Sequence, residues 1–201
     1  MTADADTARG PGRPRSAEAD EAILDAAREL FAELGYEGLS MEAVAAEAGV
    51  GKATIYRRYA SKSELVMATC AAVSELVREP TDTGSLRGDL EVIVRNVCRM
   101  LTTTVNGRLL PQMVAEAARN PELDAAKHRF VAQRRTVCLE ALHRAVERGE
   151  ITAASDADAV ADLVTGPLFY RHLLSGQALD GAFRRAHVDN VMRALTSEPC
   201  E

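Results

Sequence analysis

Residues 40–64 read SMEAVAAEAGVGKATIYRRYASKSE, and this run decides the fold. Ser40 is expected to cap a helix, because its hydroxyl can accept from an otherwise orphaned backbone N–H. Residues 41–48 then read as a helix with Val44, Ala45 and Ala48 on one side. Gly49 ends it, since a sharp bend needs a backbone that can take φ > 0. Val50 plugs the turn. Gly51 restarts the chain as a second N-cap, weaker than a Ser would be. Residues 52–59 form the second helix. Two short helices joined by a tight, Gly-bearing turn make a DNA-reading hairpin.

The faces of the second helix sharpen that reading. At about 100° per residue, Ile55 and Tyr59 share one side and are expected to pack on a core. The opposite side carries Ala53 and Arg57, flanked by Thr54 and Tyr56, with Lys52 and Arg58 toward the edges. Residues 52–62 hold four cations, Lys52, Arg57, Arg58 and Lys62, and no carboxylate. Arg can pair with guanine edges or phosphates, Thr and Ala can meet a thymine methyl, and a Tyr hydroxyl can donate to a phosphate. Ser61-Lys62-Ser63-Glu64 is a capping box that opens a further helix, where backbone N–H groups also favour an anion. Upstream, Ile23, Ala27, Leu30, Phe31 and Leu34 make an amphipathic stripe that Gly35 stops.

Residues 22–66, AILDAARELFAELGYEGLSMEAVAAEAGVGKATIYRRYASKSELV, resemble without a gap the DNA-binding domain of the tetracycline-repressor (TetR) family of bacterial regulators. The marks are Leu30-Phe31 and Gly35-Tyr36, the Ser40 start, the Ala48-Gly49-Val50 turn, Thr54-Ile55-Tyr56 and Lys62. Gly51 replaces the usual Ser, and Tyr59 stands where Phe or Trp is common. The resemblance implies that Ser40, Tyr56 and Lys62 contact phosphates, and that Lys52, Ala53, Thr54 and Arg57 face bases. Gly51 and Arg58 complete the expected DNA-binding set. It further implies a homodimer on a palindromic operator, most often as a repressor released by a small-molecule effector.

The chain has 201 residues and a formal net charge of −6, so DNA affinity has to come from local placement rather than overall charge. A second basic patch, Arg9, Arg13 and Arg15 around Gly12 and Pro14, lies in a segment that can enter a narrow minor groove; the alternative is a solvated tail. Arg13 and Arg15 are the arm's groove candidates. With four Phe, four Tyr and no Trp, the core must be built from Ala, Leu and Val, which suits close-packed helices. Strand patterns are almost absent, and no apolar run reaches the ~18 residues of a membrane span. The start, MTADADTARGPGRPR, lacks the apolar region of a signal peptide. Cys70, Cys98, Cys138 and Cys200 lie far apart without metal-ligand spacing, as expected of reduced thiols in a cytoplasmic protein.

The expected architecture is all-α with about nine helices. Residues 1–16 are a flexible basic arm, 17–62 the three-helix DNA-binding head, and 63–201 an effector-binding and dimerisation domain. Helices are expected over about 61–78, 86–105, 109–119, 122–148, 156–174 and 181–195, with Gly149 stopping the fourth of these. The helix over 156–174 is apolar nearly all round and needs partners on more than one side. In a dimer one of them is a second copy, so residues 156–195 are the expected interface. Pro167 within it can kink the helix.

TetR-like proteins hold a small-molecule pocket among their middle helices. Inward-looking candidates are Met67, Cys70, Val94, Cys98, Leu101, Met113, Ala117, Phe130, Arg134 and Cys138. An apolar cavity with one buried Arg suits a lipophilic effector, anionic ones included. Enzyme motifs are missing: there is no G-x-S-x-G, H-E-x-x-H or G-x-G-x-x-G, and Gly51-Lys52-Ala53-Thr54 lacks the Ser or Thr directly after Lys that a phosphate loop requires. Glu140 and His143 form one ExxH pair without the second that a di-iron bundle needs. No cofactor or metal is expected. The rival readings are an all-helical protein–protein adaptor, which leaves the basic helix unexplained, and a TetR-like activator.

Overall fold

The computed structural model describes residues 15–75, 81–152 and 156–196. They fold into nine α-helices, with no strand among the described residues. The chain divides into two compact units, one ending at Thr69 and the other starting at Cys70. The expected arm, with Arg9 and Arg13, lies outside the described residues; Arg15 opens the first helix with its backbone.

The first unit holds α1 (Arg15–Gly38), α2 (Met41–Glu47), α3 (Lys52–Arg58) and the start of α4 (Lys62–Glu75). Ile23, Ala27, Phe31, Val44, Ile55 and Leu65 are almost completely buried. Gly35 interrupts α1 with φ 70°, a conformation that costs glycine little. Leu34 departs from the expected stripe: it lies over Gly38 in the last turn and stays 47% exposed, while Ala26 is buried in the stripe. Below the break, the Tyr36 hydroxyl shares a buried 2.7 Å hydrogen bond with Ser63, which ties α1 to α4.

The second unit is built around α5 (Leu86–Thr103), which packs against α6 (Val105–Ala117), α7 (Pro121–Glu147), α8 (Ala157–Tyr170) and α9 (Gly181–Thr196). Side-chain caps define the starts. Ser85 accepts from Gly88 N–H, Asn120 from Glu122 and Leu123 N–H, and Asp156 from Ala159 N–H. Two boundaries differ from expectation. Helix α6 begins at Val105 rather than near 109, because Thr104 alone is extended and Asn106-Gly107 is helical. Helix α8 ends at Tyr170, and Arg171–Ser175 continue as a wider π-helical turn closed by Gly176 at φ 65°. Pro167, which offers no N–H to the preceding turn, lies just before this widening.

A buried ionic knot was not legible in the sequence. Asp89 on α5 is fully buried. One carboxylate oxygen accepts from both the N–H and the hydroxyl of Thr83 at 2.7 Å, and the other accepts from Arg144 at 3.0 Å. Arg148 stands 3.8 Å from it. Arg144 also donates to the Thr81 carbonyl, and Glu150 accepts from Leu86 N–H. The knot fastens the loop before α5 to the end of α7.

Candidate nucleic-acid interface and effector cavity

In the head, the local sequence sets the geometry of α3. Gly49 takes φ 66°, and the N–H of Val50 bonds to the Ala45 carbonyl, closing the turn. Gly51 caps α3 through its carbonyl alone, which accepts from Thr54 and Ile55 N–H; it supplies no side-chain cap. Its φ of −70° is open to any residue, and an added Cβ would meet nothing within 4 Å. Gly51→Ser should therefore stabilise the head by about 0.5–1 kcal/mol, through the restored cap and the stiffer unfolded chain. Thermal unfolding checks this, and a fall in Tm would contradict it.

Ile55 is fully buried and Tyr59 half-buried at the end of α3, so the opposite face is set outward. Lys52, Ala53, Tyr56 and Arg57 are exposed, and Thr54 is partly so. Ser40 is exposed and caps α2, its hydroxyl accepting from Ala43 N–H at 3.1 Å. Two of the expected contacts have further attachments. Lys62 donates to the Tyr36 carbonyl at 2.8 Å and sits 4.3 Å from the centre of the Tyr36 ring, which fixes its ammonium at the N-terminus of α4. Arg58 is turned inward: its side chain is 16% exposed and pairs with Asp20 of α1. It fastens α3 to α1 rather than extending the outer face. At one residue beyond Arg57 the helix has already rotated it back toward the body.

Glu42 on α2 is a residue of this face that sequence reasoning missed. It accepts from the Tyr56 hydroxyl at 3.2 Å and lies 3.8 Å from the Lys52 ammonium. Partial burial and this carboxylate hold the Tyr56 phenol above its ordinary value, so it remains a donor. The only signal in the sequence was a carboxylate at the second position of α2, which also suits a helix dipole.

The second unit holds a half-open cavity of about 410 Å³ among α4 to α8. Of the expected lining residues, Cys70, Met113, Phe130, Arg134 and Cys138 are on its wall. Val94, Cys98 and Leu101 are instead part of the buried core, and Met67 and Ala117 are buried away from the wall. The reason is that α5 is covered on two sides. The row Val94, Cys98, Leu101 faces the core, and the row Ile93, Val97, Met100 faces the cavity, each spaced i, i+4, i+7. Periodicity alone cannot separate two buried rows. Thr165 and Phe169 of α8 complete the wall. Burial pushes the Cys70 thiol up to about 12 and the Cys138 thiol up to about 11, so both are protonated at neutral pH.

Residues 23–69 match the family model described as bacterial regulatory proteins, tetR family. Residues 80–191 match the tetracyclin repressor-like C-terminal domain. The chain belongs to the TetR family of DNA-binding transcriptional regulators. A helix-turn-helix-type regulator of Mycobacterium tuberculosis, itself uncharacterised, is 36% identical over 191 residues, covering 94% of this chain and 92% of the relative. A DNA-binding transcriptional repressor TetR of Mycobacteroides abscessus is 33% identical over 92% of this chain and 95% of its own length. Among solved structures, a TetR family transcription regulator superposes with a TM-score of 0.74 at 31% identity, covering 90% of this chain and 100% of that one. FadR from Bacillus subtilis in complex with stearoyl-CoA has the same fold, with a TM-score of 0.63 at 17% identity over 86% of this chain and 97% of that one. No helix among the described residues is long and apolar enough to cross a membrane.

Proposed function

We propose that this TetR-family chain is a cytoplasmic, homodimeric repressor that binds a palindromic operator, at the nucleoid when DNA-bound, and is released by a small molecule held in the cavity of its second unit. The observation that carries the proposal is the outward face of α3, where Lys52, Ala53, Tyr56 and Arg57 stand exposed on a helix whose other side is locked by Ile55. Lys52, Ala53, Thr54 and Arg57 read base edges in the major groove, while Ser40, Tyr56, Lys62 and the backbone at Gly51 hold phosphates. The repressor among the relatives supports the regulatory sign. A fold neighbour holding stearoyl-CoA and another described as flavonoid-responsive support a lipophilic effector.

Phosphate contacts act on all sequences alike. Tyr56→Phe should weaken binding at least about tenfold on every duplex, because a hydrogen bond to a charged group contributes roughly 1.5–3 kcal/mol. Its salt slope should not move, since the phenol is neutral. Lys62→Ala should make the slope shallower by about 0.9. Titrations on specific and mixed DNA at several salt concentrations read both effects, and a loss confined to one sequence would contradict the phosphate assignment.

A second copy supplies the missing partner for α8. Leu163 and Tyr170 of α8 and Leu174 of the turn that follows it are 42%, 59% and 76% exposed. Two recognition helices spanning half-sites about one helical turn apart need such a rigid junction. Sedimentation should give a dimer at micromolar concentration, and Leu174→Asp should shift it toward monomer with its helical content kept. A monomeric wild-type chain would overturn this assembly.

A further inference from the structure

We propose that the cavity takes a neutral, largely hydrocarbon or aromatic molecule and discriminates against organic anions. The inference rests on the reading of this cavity as the effector site and specifies its ligand class. Its volume of about 410 Å³ lies within the range of small-molecule sites, roughly 300–1,000 Å³. The wall is mostly aliphatic and aromatic side chains from α5, α6, α7 and α8.

Three cations, Lys127, Arg134 and Arg135, belong to the wall, and each stands within ion-pair distance of a carboxylate, although the Arg135 Nε makes no hydrogen bond. Lys127 is 2.7 Å from Asp124. Arg134 is 2.5 Å from Glu75, donates to the Ala71 carbonyl at 3.0 Å, and lies 5.2 Å from the centre of the Phe130 ring. Arg135 pairs with Asp158 at 2.8 Å and with Asp162 at 2.9 Å. Asp162 is itself on the wall, so three cations meet four carboxylates. An anionic ligand therefore finds no unmatched positive charge. Displacing one of these partly exposed carboxylates costs little, but the ligand would lose its own hydration among apolar groups, beside cations already outnumbered by their carboxylates, and that loss is not returned. Arg134, the obvious anchor in the sequence, ties α7 to α4 instead.

The neutral polar groups on the wall are of a different kind. Thr165 donates its hydroxyl proton to the Ala161 carbonyl and keeps its oxygen lone pairs as acceptors. The Cys70 and Cys138 thiols are protonated and add no charge. A neutral ligand with one donor fits this wall without breaking an ion pair.

A matched pair of dyes tests the proposal on the full-length protein. N-phenyl-1-naphthylamine and 8-anilino-1-naphthalenesulfonate share an aromatic body and differ by a sulfonate. Fluorescence titration should give saturable binding of the neutral dye, with the sulfonate bound at least tenfold more weakly at the same site. Gly166 is on the wall, in a helix one residue before Pro167, whose ring disfavours a Cβ there, while nothing beyond its chain neighbours stands within 4 Å. Gly166→Leu should cut neutral-dye affinity at least fivefold relative to Gly166→Ala, which bears the same local strain and fills less of the cavity. Equal or tighter binding of the sulfonate, competitive with the neutral dye and weakened by Gly166→Leu, overturns the ligand class while leaving the effector site in place. Binding of neither dye overturns the effector-site reading as well. Neutral-dye binding that Gly166→Leu leaves intact places the dye elsewhere and overturns the proposal.

Discussion

Gly107→Ala should strongly destabilise the second unit. A Cβ at this position would lie 1.7 Å from the Leu101 carbonyl oxygen and 2.5 Å from its carbon. Both are backbone atoms of the turn before α6, and they have no rotamer by which to yield. The start of α6 is pinned from other directions too: Asn106 donates to the Cys70 carbonyl at 2.7 Å, and His172 bonds to the Gly107 carbonyl at 2.8 Å. The extra methyl has to move several elements at once, so the cost should exceed the ~1–3 kcal/mol of ordinary overpacking. At roughly 2–4 °C per kcal/mol for a chain of this size, Tm should fall by about 10 °C or more. Gly51→Ser is the control. It adds a side chain at ordinary φ where nothing stands within 4 Å, and should not lower Tm. Equal Tm values for the two variants would show that the close approach at Gly107 does not exist.

The second large effect belongs to Asp89. Asp89→Ala removes the acceptor of two Thr83 bonds and of Arg144, and leaves a partly buried guanidinium facing an emptied site. Breaking a buried pair from one side costs about 3–5 kcal/mol. The pH dependence has a definite sign. Burial alone would raise the Asp89 carboxyl, but the Thr83 hydrogen bonds and the Arg144 guanidinium outweigh it and hold the group below its ordinary value. A depressed carboxyl contributes stability that is fully present above the unfolded pKa of about 3.9 and is lost as pH falls through the folded value. The stability gap between wild type and Asp89→Asn should therefore be largest near neutral pH and close below about pH 4. Urea midpoints at a series of pH values measure it. A gap that stays constant down to pH 3 would contradict the ionic role.

The head was far more legible in the sequence than the cavity, and the reason is locality. Ser40, Gly49, Gly51 and Ile55 act within one or two turns of themselves, so their spacing states their roles. Arg58 shows the limit: its partner Asp20 stands on α1, and nothing near Arg58 in the chain predicts it. The helices of the second unit followed from apolar periodicity and from stops such as Gly149. The wall of the cavity did not, because α5 buries two rows of side chains and only the arrangement of its neighbours decides which row meets open space. The Asp89 knot was hidden for the same reason, since its members come from α5, the loop before it and the end of α7. Gly107 inside α6 is demanded by the close approach of Leu101 rather than by a turn, which nothing local in the sequence states.

The central claim is that α3 reads DNA sequence. The direct measurement is selection by the full-length protein from a randomised duplex library, run in parallel with Arg57→Ala at fixed salt. Arg57 is exposed on α3, one residue beyond Tyr56 and opposite the buried Ile55. The wild-type chain should enrich a two-fold symmetric site with half-sites about one helical turn apart. The Arg57 variant should lose preference at one base pair per half-site, by about 1–3 kcal/mol, and keep the rest of the motif. Failure of the wild-type chain to enrich any sequence, or an Arg57→Ala motif identical to its own at every position, would contradict the account.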